Sequence, residues 1–293
     1  MDSITHTLFG LAIYGAVNKE NMTRSEKRVL LGCALVGSQI PDIDVISRLW
    51  DTEGRYQMWH RGITHSVFLA PVWAGLISGI ARSMVKVRGW FWYWLSFIAV
   101  VFHITSDCFN AWGTGILEPF SNMRASIGTI PIVDLTTWLI LACGYLFVRF
   151  SRERWKSHNV YRFVWLLIGL HMLLQTTQGV MLSNQIADKY DQVTRSAGFV
   201  PGQFTVLGKK GDTVDLYSGS VFSGLRKTGT LKSAEQADKQ LLFNHNPRAK
   251  TLTEWSPFVV LEENNRRIAV YDPRFYMNGA SFLTEEYVKT GAQ

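Results

Sequence analysis

Six apolar stretches fill the first 182 residues: Ile4–Val17, Val29–Ser47, Ile63–Ala81, Trp90–Asn110, Ile132–Phe150 and Tyr161–Leu182. A helix crossing the hydrocarbon core of a bilayer needs ~20 predominantly apolar residues. The pattern therefore predicts a polytopic membrane helix bundle of five to six segments, mostly α. The first stretch is short for a full crossing, so it is expected to dip into the bilayer or lean on its neighbours. Trp90, Trp92, Tyr93 and Trp94 cluster at one helix end, where interfacial aromatics sit. The overall apolar content of 47% hides a split, because the chain after Leu182 has the composition of a soluble domain. Two parts follow: residues 1–182 as a membrane-embedded helical domain, and 183–293 as a small β-rich soluble domain.

The second part opens with a polar stretch, Ser183–Ser196, that reads as helical. Short alternating runs come next: "QFTVLG", "DTVDLYSG", "SPFVVLEE" and "RRIAVYDPRF". The segment "EENNRR" between the last two reads as a hairpin turn, with Asn264 and Asn265 tolerating positive φ.

The net charge is +7. Its basic residues sit in short clusters between apolar runs and form no stripe interleaved with aromatics on the soluble part, which argues against nucleic acid as a partner. With the N-terminus outside, the inner loops carry Lys19, Arg24, Lys27 and Arg28, then Arg82, Lys86 and Arg88, then the basic stretch Arg149–Arg162. The outer loops carry fewer, Arg48, Arg55 and Arg61 in one and Arg124 in the other. The positive-inside rule then places the N-terminus and the C-terminal domain on the extracytoplasmic side. The opening "MDSITHTLFG" lacks a basic n-region, so the mature helices are expected to direct insertion themselves. Cys33, Cys108 and Cys143 lie in or beside apolar runs without a CxxC spacing and read as small packing residues.

Titratable residues inside apolar segments are costly, by ~2.5–3.5 kcal/mol each on insertion scales, and a group of them demands compensation. His6 lies near the start of the first segment, Asp42 and Asp44 near the end of the second, His60 and His65 at the entry to the third, and His103 and Asp107 late in the fourth. With the orientation set by Lys and Arg alone, all of these fall on the outer side. His103 and Asp107 are four residues apart and project from one helical face. Asp42 and Asp44 would diverge on a regular helix, but Pro41 breaks it and lets both turn inward. Taken singly, each has an ordinary reading: His6 as an interfacial anchor, His103 as a hydrogen-bonded core residue, Asp42 or Asp44 as a cap. Taken together, His6, Asp42, Asp44, His60, His65, His103 and Asp107 suit a divalent metal, zinc first, with manganese or iron as alternatives. Seven candidates exceed one tetrahedral ion, so one or two ions are expected.

Arg61 can meet an anion beside such a metal or snorkel to the interface. Gly62 would permit close backbone approach, and Thr64 and Ser66 can support ligands or cap a helix. Asp134 and Glu118 are open between supporting the site and local roles. His171 has no acid three or four residues away on its own helix and reads as a core histidine, whereas His158 and His245 read as loop residues.

"MDSITHTLFG", "PDIDV", "HRGITHS" and "HITSDCF" together resemble the YdjM-type membrane-bound metal-dependent hydrolases. That family's pattern is Asp-x-x-Thr-His, Pro-Asp-x-Asp, His-Arg-Gly-x-Thr-His-Ser, and a later His with an Asp one turn on. All four elements stand in order within about residues 1–150. The resemblance implies a metal-dependent hydrolase of the bacterial inner membrane; it says nothing of the β-rich part.

The residues themselves leave three functions open. The first is a hydrolase with its site at the outer face, Asp44 or Asp42 as general base, Arg61 as anion partner, and a membrane lipid or lipid-linked phosphoester as substrate. The second is a transporter or metal-ion permease, in which intramembrane acids and histidines mark an ion path. The third is a non-enzymatic membrane protein whose metal ties helices together.

Overall fold

The computed structural model describes residues 1–151, 155–277 and 279–289. The chain forms two compact units, one of Met1–Asp44 with Arg61–Thr176, the other of Val45–His60 with the chain from Thr177 onward. The N-terminal region is mostly helical and the C-terminal region is built on β-sheet, as the apolar and alternating patterns predict.

In the first unit, α1 spans Ser3–Ala16 and α2 spans Arg24–Gly37. Asp2 caps α1 by accepting from the Ile4 and Thr5 amides, and Thr23 and Glu26 form a reciprocal capping box at the start of α2. Beyond the short α3 (Tyr56–Trp59, in the second unit), α4 covers Ala70–Val85 with Pro71 in its first turn. Then follow α5 (Phe91–Cys108), α6 (Leu135–Phe150) and α7 (Ser157–Asn184). Leu30, Ala34, Ala99 and Val100 form the centre of one core, and Phe9, Ile130 and Ile168 the centre of another. Two glycines set how closely the helices approach. A Cβ on Gly10 would stand 3.0 Å from the Ala34 carbonyl, and one on Gly37 2.8 Å from the Ala99 Cβ. In lipid, where association depends on close packing, such contacts draw α1, α2 and α5 together.

Two helices, Phe91–Cys108 and the one beginning at Ser157, are long and apolar enough to cross a membrane. Two bent helix pairs, Arg24–Gly37 with Ile40–Leu49 and Tyr56–His65 with Ala70–Val85, bring the number to as many as four if each pair is one span. All six apolar stretches carry helix, and Leu135–Phe150 is a shorter apolar one. The second apolar stretch breaks before Pro41 and continues as a 3₁₀ helix over Ile40–Leu49, and the third breaks between the turn Ile63–His65 and α4. Helix α1 has 14 residues, which at about 1.5 Å each reach roughly 21 Å, short of a ~30 Å hydrocarbon core.

In the second unit, β1 (Gln192–Ala197), β2 (Phe204–Lys210), β3 (Thr213–Ser220) and β4 (Gly224–Lys232) form an antiparallel meander in chain order. After α8 (Lys239–His245) and α9 (Pro247–Trp255), strands β5 (Val260–Glu263) and β6 (Arg267–Tyr271) pair, and β9 (Thr284–Val288) joins β6. A small β7–β8 hairpin, Tyr276–Met277 with Ala280–Ser281, precedes β9. Buried Leu207, Val214, Val260 and Tyr271 form one core here; Leu182, Phe204 and Val206 form another.

Several expectations change. The helical reading of Ser183–Ser196 holds only for Ser183 and Asn184; a 3₁₀ turn at Ala187–Lys189 follows, and Gln192–Ala197 pairs with β2. Alternation with β-branched Val193 and Thr194, completed by pairing, outweighs the polar composition. The hairpin at "EENNRR" is present, with Glu263 opposite Ile268, but neither asparagine takes positive φ. Instead the Asn264 side-chain oxygen accepts from the Arg266 and Arg267 amides. His158 and His245 lie within α7 and α8, not in loops. Of the cysteines, Cys33 is buried, Cys108 half-buried and Cys143 exposed, all as free thiols.

Candidate metal centre

The chain converges at the end of α2, where Ser38 and Gln39 turn into the 3₁₀ helix carrying Asp42 and Asp44. His65 closes its own 3₁₀ turn, and α5 supplies His103 and Asp107 one turn apart. Ligand atoms of Asp42, His65, His103 and Asp107 all lie within 4.8 Å of one another. The His65 and His103 Nε2 atoms are 3.1 Å apart, and Asp42 Oδ1 stands 3.4 Å from the first and 3.7 Å from the second. Asp107 Oδ2 lies 3.4 Å from His65 Nε2 and 3.7 Å from His103 Nε2. His6, from α1, stacks on the His103 ring at 3.7 Å between centroids and brings its Nε2 to 3.2 Å from Asp107 Oδ1.

Each of these two imidazoles, His65 and His103, is held from behind. His103 Nδ1 meets the Ser38 carbonyl at 2.7 Å, a contact that requires an N–H there and leaves Nε2 with its lone pair toward the cluster. His65 Nδ1 lies 3.3 Å from Asp44 Oδ2 and 3.1 Å from Thr64 Oγ1. Thr64 also donates to Asp44 Oδ2 at 2.8 Å, as does the Arg61 amide at 2.9 Å. The two aspartates of "PDIDV" thus bracket one imidazole, Asp42 at Nε2 and Asp44 at Nδ1. Asp44 is placed to orient His65.

Arg61 neither snorkels nor reaches outward. It is 3% exposed, and its guanidinium donates to Asn110 Oδ1 at 2.9 Å and to the Met1 carbonyl at 3.0 Å, with Nε 3.1 Å from Asp107 Oδ2. Its backbone has φ 59°, the left-handed conformation that costs a non-glycine residue of order 1–3 kcal/mol. Residue type points to Gly62 as the place where the backbone relaxes, yet Arg61 takes the unusual conformation, and that turn aims its N–H at Asp44.

The donor set fits a cation. Asp42, Asp44 and Asp107 face one guanidinium in a largely buried cluster, an excess of carboxylate that needs positive charge. The Met1 amino group contacts Asp107 Oδ1. Both ring nitrogens of His6 and Oδ2 of Asp107 are buried without a hydrogen-bond partner among the described residues. Several nitrogens are within ion-pair distance of Asp107 Oδ2, but none directs an N–H at it. A carboxylate and imidazoles arranged so could hold an ion between them.

In this group of the first unit Asp42, His65, His103 and Asp107 meet, with His6 against Asp107. Asp44 stands behind His65. His60 falls in the second unit, where its ring stacks on Tyr56 at 5.2 Å. Ser66 donates to the Glu118 carbonyl and accepts from the Phe68 amide, a turn role. Glu118 lies at that turn, with its carboxylate 4.0 Å from Arg124. Asp134 caps α6 and meets the imidazole of His171 at 2.8 Å from another helix, the hydrogen-bonded setting of a core histidine. Two contributors, Ser38 and Asn110, escape the reading of the sequence. The Ser38 contact uses a backbone carbonyl and leaves no trace in residue type, whereas Asn110, three residues after Asp107, is legible as a polar residue closing an apolar run.

A family model described as YdjM inner membrane protein matches residues 1–181. The uncharacterized protein YfhP of Bacillus subtilis (strain 168) is 33% identical over 138 residues, 46% of this chain and 42% of that protein. The chain thus spans less than half the length of that curated relative. No solved structure matches it.

Proposed function

The chain belongs to the YdjM inner membrane protein family, and from that premise we propose that it is a membrane-embedded, metal-dependent hydrolase with its site on the extracytoplasmic side. The observation that carries the reading is the convergence of Asp42, His65, His103 and Asp107 within 4.8 Å, beside His6, whose buried ring nitrogens make no hydrogen bond among the described residues. These residues would hold one divalent ion, zinc suiting the mixture best. When bound, such an ion lowers the pKa of a water and polarises the scissile group.

The chain's own groups do the rest. Asp44, held by Thr64 and the Arg61 amide, fixes the His65 ring; the Ser38 carbonyl fixes that of His103. The guanidinium of Arg61, anchored on Asn110, lies against Asp107 and offsets part of its charge. Asp42 is the accessible edge: its side chain is 17% exposed, while His65, His103 and Asp107 are closed to solvent. Apolar residues within two positions of the site residues, Ile4, Ile43 and Ile63, are all well exposed. That surround favours a substrate with a lipid part, and a lipid-linked phosphoester is the class proposed, because a divalent cation is itself a receptor for phosphate.

The test is metal analysis of protein purified in detergent, then release of phosphate from lipid phosphomonoesters and diphosphates with and without chelator. Turnover that chelator abolishes and metal restores supports the reading. Metal-loaded protein without turnover on the panel, or turnover untouched by chelator, overturns it. The orientation is tested separately by a reporter fused after Gln293. Activity confined to the cytoplasm would reverse the topology proposed from Lys and Arg.

A further inference from the structure

Between α2 and α4 runs an apolar groove of about 360 Å³, lined by Gly32 and Val36 on one side and Ile77, Ile80 and Met84 on the other. Its size falls within the roughly 300–1,000 Å³ of ligand sites. A Cβ placed on Gly32 would meet nothing within 4 Å, and the same holds for Gly75 and Gly79 on α4. The groove is polar only at one end, where Arg28 lines it. Arg24 and Lys27 lie within one turn of Arg28 on α2, and Lys86 and Arg88 follow the end of α4. None of these five cations makes an ion pair among the described residues. The acids of this segment are engaged elsewhere, Glu26 in the cap of α2 and Glu20 with Lys156.

We propose that this groove is a binding site for an anionic glycerophospholipid, with an acyl chain between α2 and α4 and its phosphate at Arg28. The argument is charge complementarity: an apolar slot ending in uncompensated cations matches a hydrocarbon tail ending in an anion. Each Lys or Arg near an anionic bilayer surface favours such lipids by an amount that corresponds to roughly fivefold in binding. The site is separate from the His/Asp cluster, and the inference does not rest on the proposed activity.

The experiment is lipid binding to the full chain in detergent, read by native mass spectrometry with phosphatidylglycerol and phosphatidylcholine of identical chains. Wild type should bind phosphatidylglycerol more tightly. Arg28→Gln, a change at the polar end of the groove, should cut that preference about fivefold and leave phosphatidylcholine unaffected. Gly32→Leu, whose Cβ would meet nothing within 4 Å and whose side chain would occupy groove space, should weaken both lipids. Equal binding of the two lipids by wild type overturns the proposal, as does an unchanged preference in Arg28→Gln. A dimer of this chain that Gly32→Leu abolishes, with lipid binding intact, would make the groove a contact between copies and also overturn it.

Discussion

Asp272 in the second unit and Asp107 in the first are both carboxylates with no solvent exposure. Around Asp272 the donors are complete: Arg274 gives its amide at 2.8 Å, Nη2 at 2.6 Å and Nε at 3.0 Å, and Ser256 gives its hydroxyl at 2.7 Å. The Arg274 guanidinium also lies over the Trp255 ring. Asp107 has as many nitrogens nearby, yet among the described residues its Oδ2 accepts no hydrogen bond, and neighbouring His6 has no hydrogen-bond partner on either nitrogen. A buried charge closed on its own partners holds a fold together. One left open among imidazoles is poised for something the chain does not itself supply. If this contrast is right, substitutions in the two places fail in different ways.

The largest effect should come from breaking the closed pair. Asp272→Ala leaves Arg274, 6% exposed, without its carboxylate. Removing one partner of a buried pair typically costs about 3–5 kcal/mol. Thermal unfolding of the full protein in detergent should show that loss, while metal per protein stays at the wild-type value. Loss of metal without loss of stability would erase the distinction between the two carboxylates.

His65→Ala should do the reverse. It removes the imidazole between Asp42, Asp44 and Asp107, and metal affinity should fall by at least the ~10–100-fold seen when even supporting groups are lost. Metal content after dialysis against a graded chelator measures this. Wild-type retention would remove His65 from the ligand set. Thr64→Val is gentler, because it deletes only the hydroxyl that donates to Asp44. An approximately tenfold fall in affinity is expected, at the low end for such support, and none at all would mean that Asp44 does not act through His65.

Sequence spacing alone makes part of this site legible. His103 and Asp107 declare themselves by helical spacing, and "HRGITHS" by packing charge against an apolar run. What spacing along one helix misses is contact between helices. His171 has no acid on its own helix because its partner, Asp134, caps a different one. The division of labour between Asp42 and Asp44 depends on a 3₁₀ path after the break at Ser38 and on which nitrogen of His65 each reaches, and two aspartates in "PDIDV" look alike in sequence. Arg61 illustrates the same limit: its left-handed backbone and buried guanidinium follow from tertiary contacts, and residue type alone points to Gly62. In the β-rich unit, alternation identifies the strands but not α8 and α9, short helices that begin at the side-chain caps Asp238 and Asn246.

Asp134 supplies the finest test, because it is a buried carboxylate in the helical unit with the character of Asp272. It accepts from Thr137 Oγ1 at 2.6 Å and from the Thr136 amide at 3.1 Å, and meets His171 Nε2 at 2.8 Å. Its partners named here all belong to the chain, so it should behave as structure even though it shares a unit with the candidate metal centre. His171→Ala removes one of three contacts and leaves the other two, a net loss of about 0.5–1.5 kcal/mol. Metal affinity should not change, and His171→Gln, which can donate from a similar position, should recover most of the stability. Purified side by side with His65→Ala in one detergent, the two variants control for each other, since each deletes an imidazole from a helical turn in the same unit. Equal metal loss in both would mean that the helical unit is disturbed as a whole. Preferential loss in His171→Ala would move the site toward α6 and α7 and favour an ion path over a hydrolytic centre.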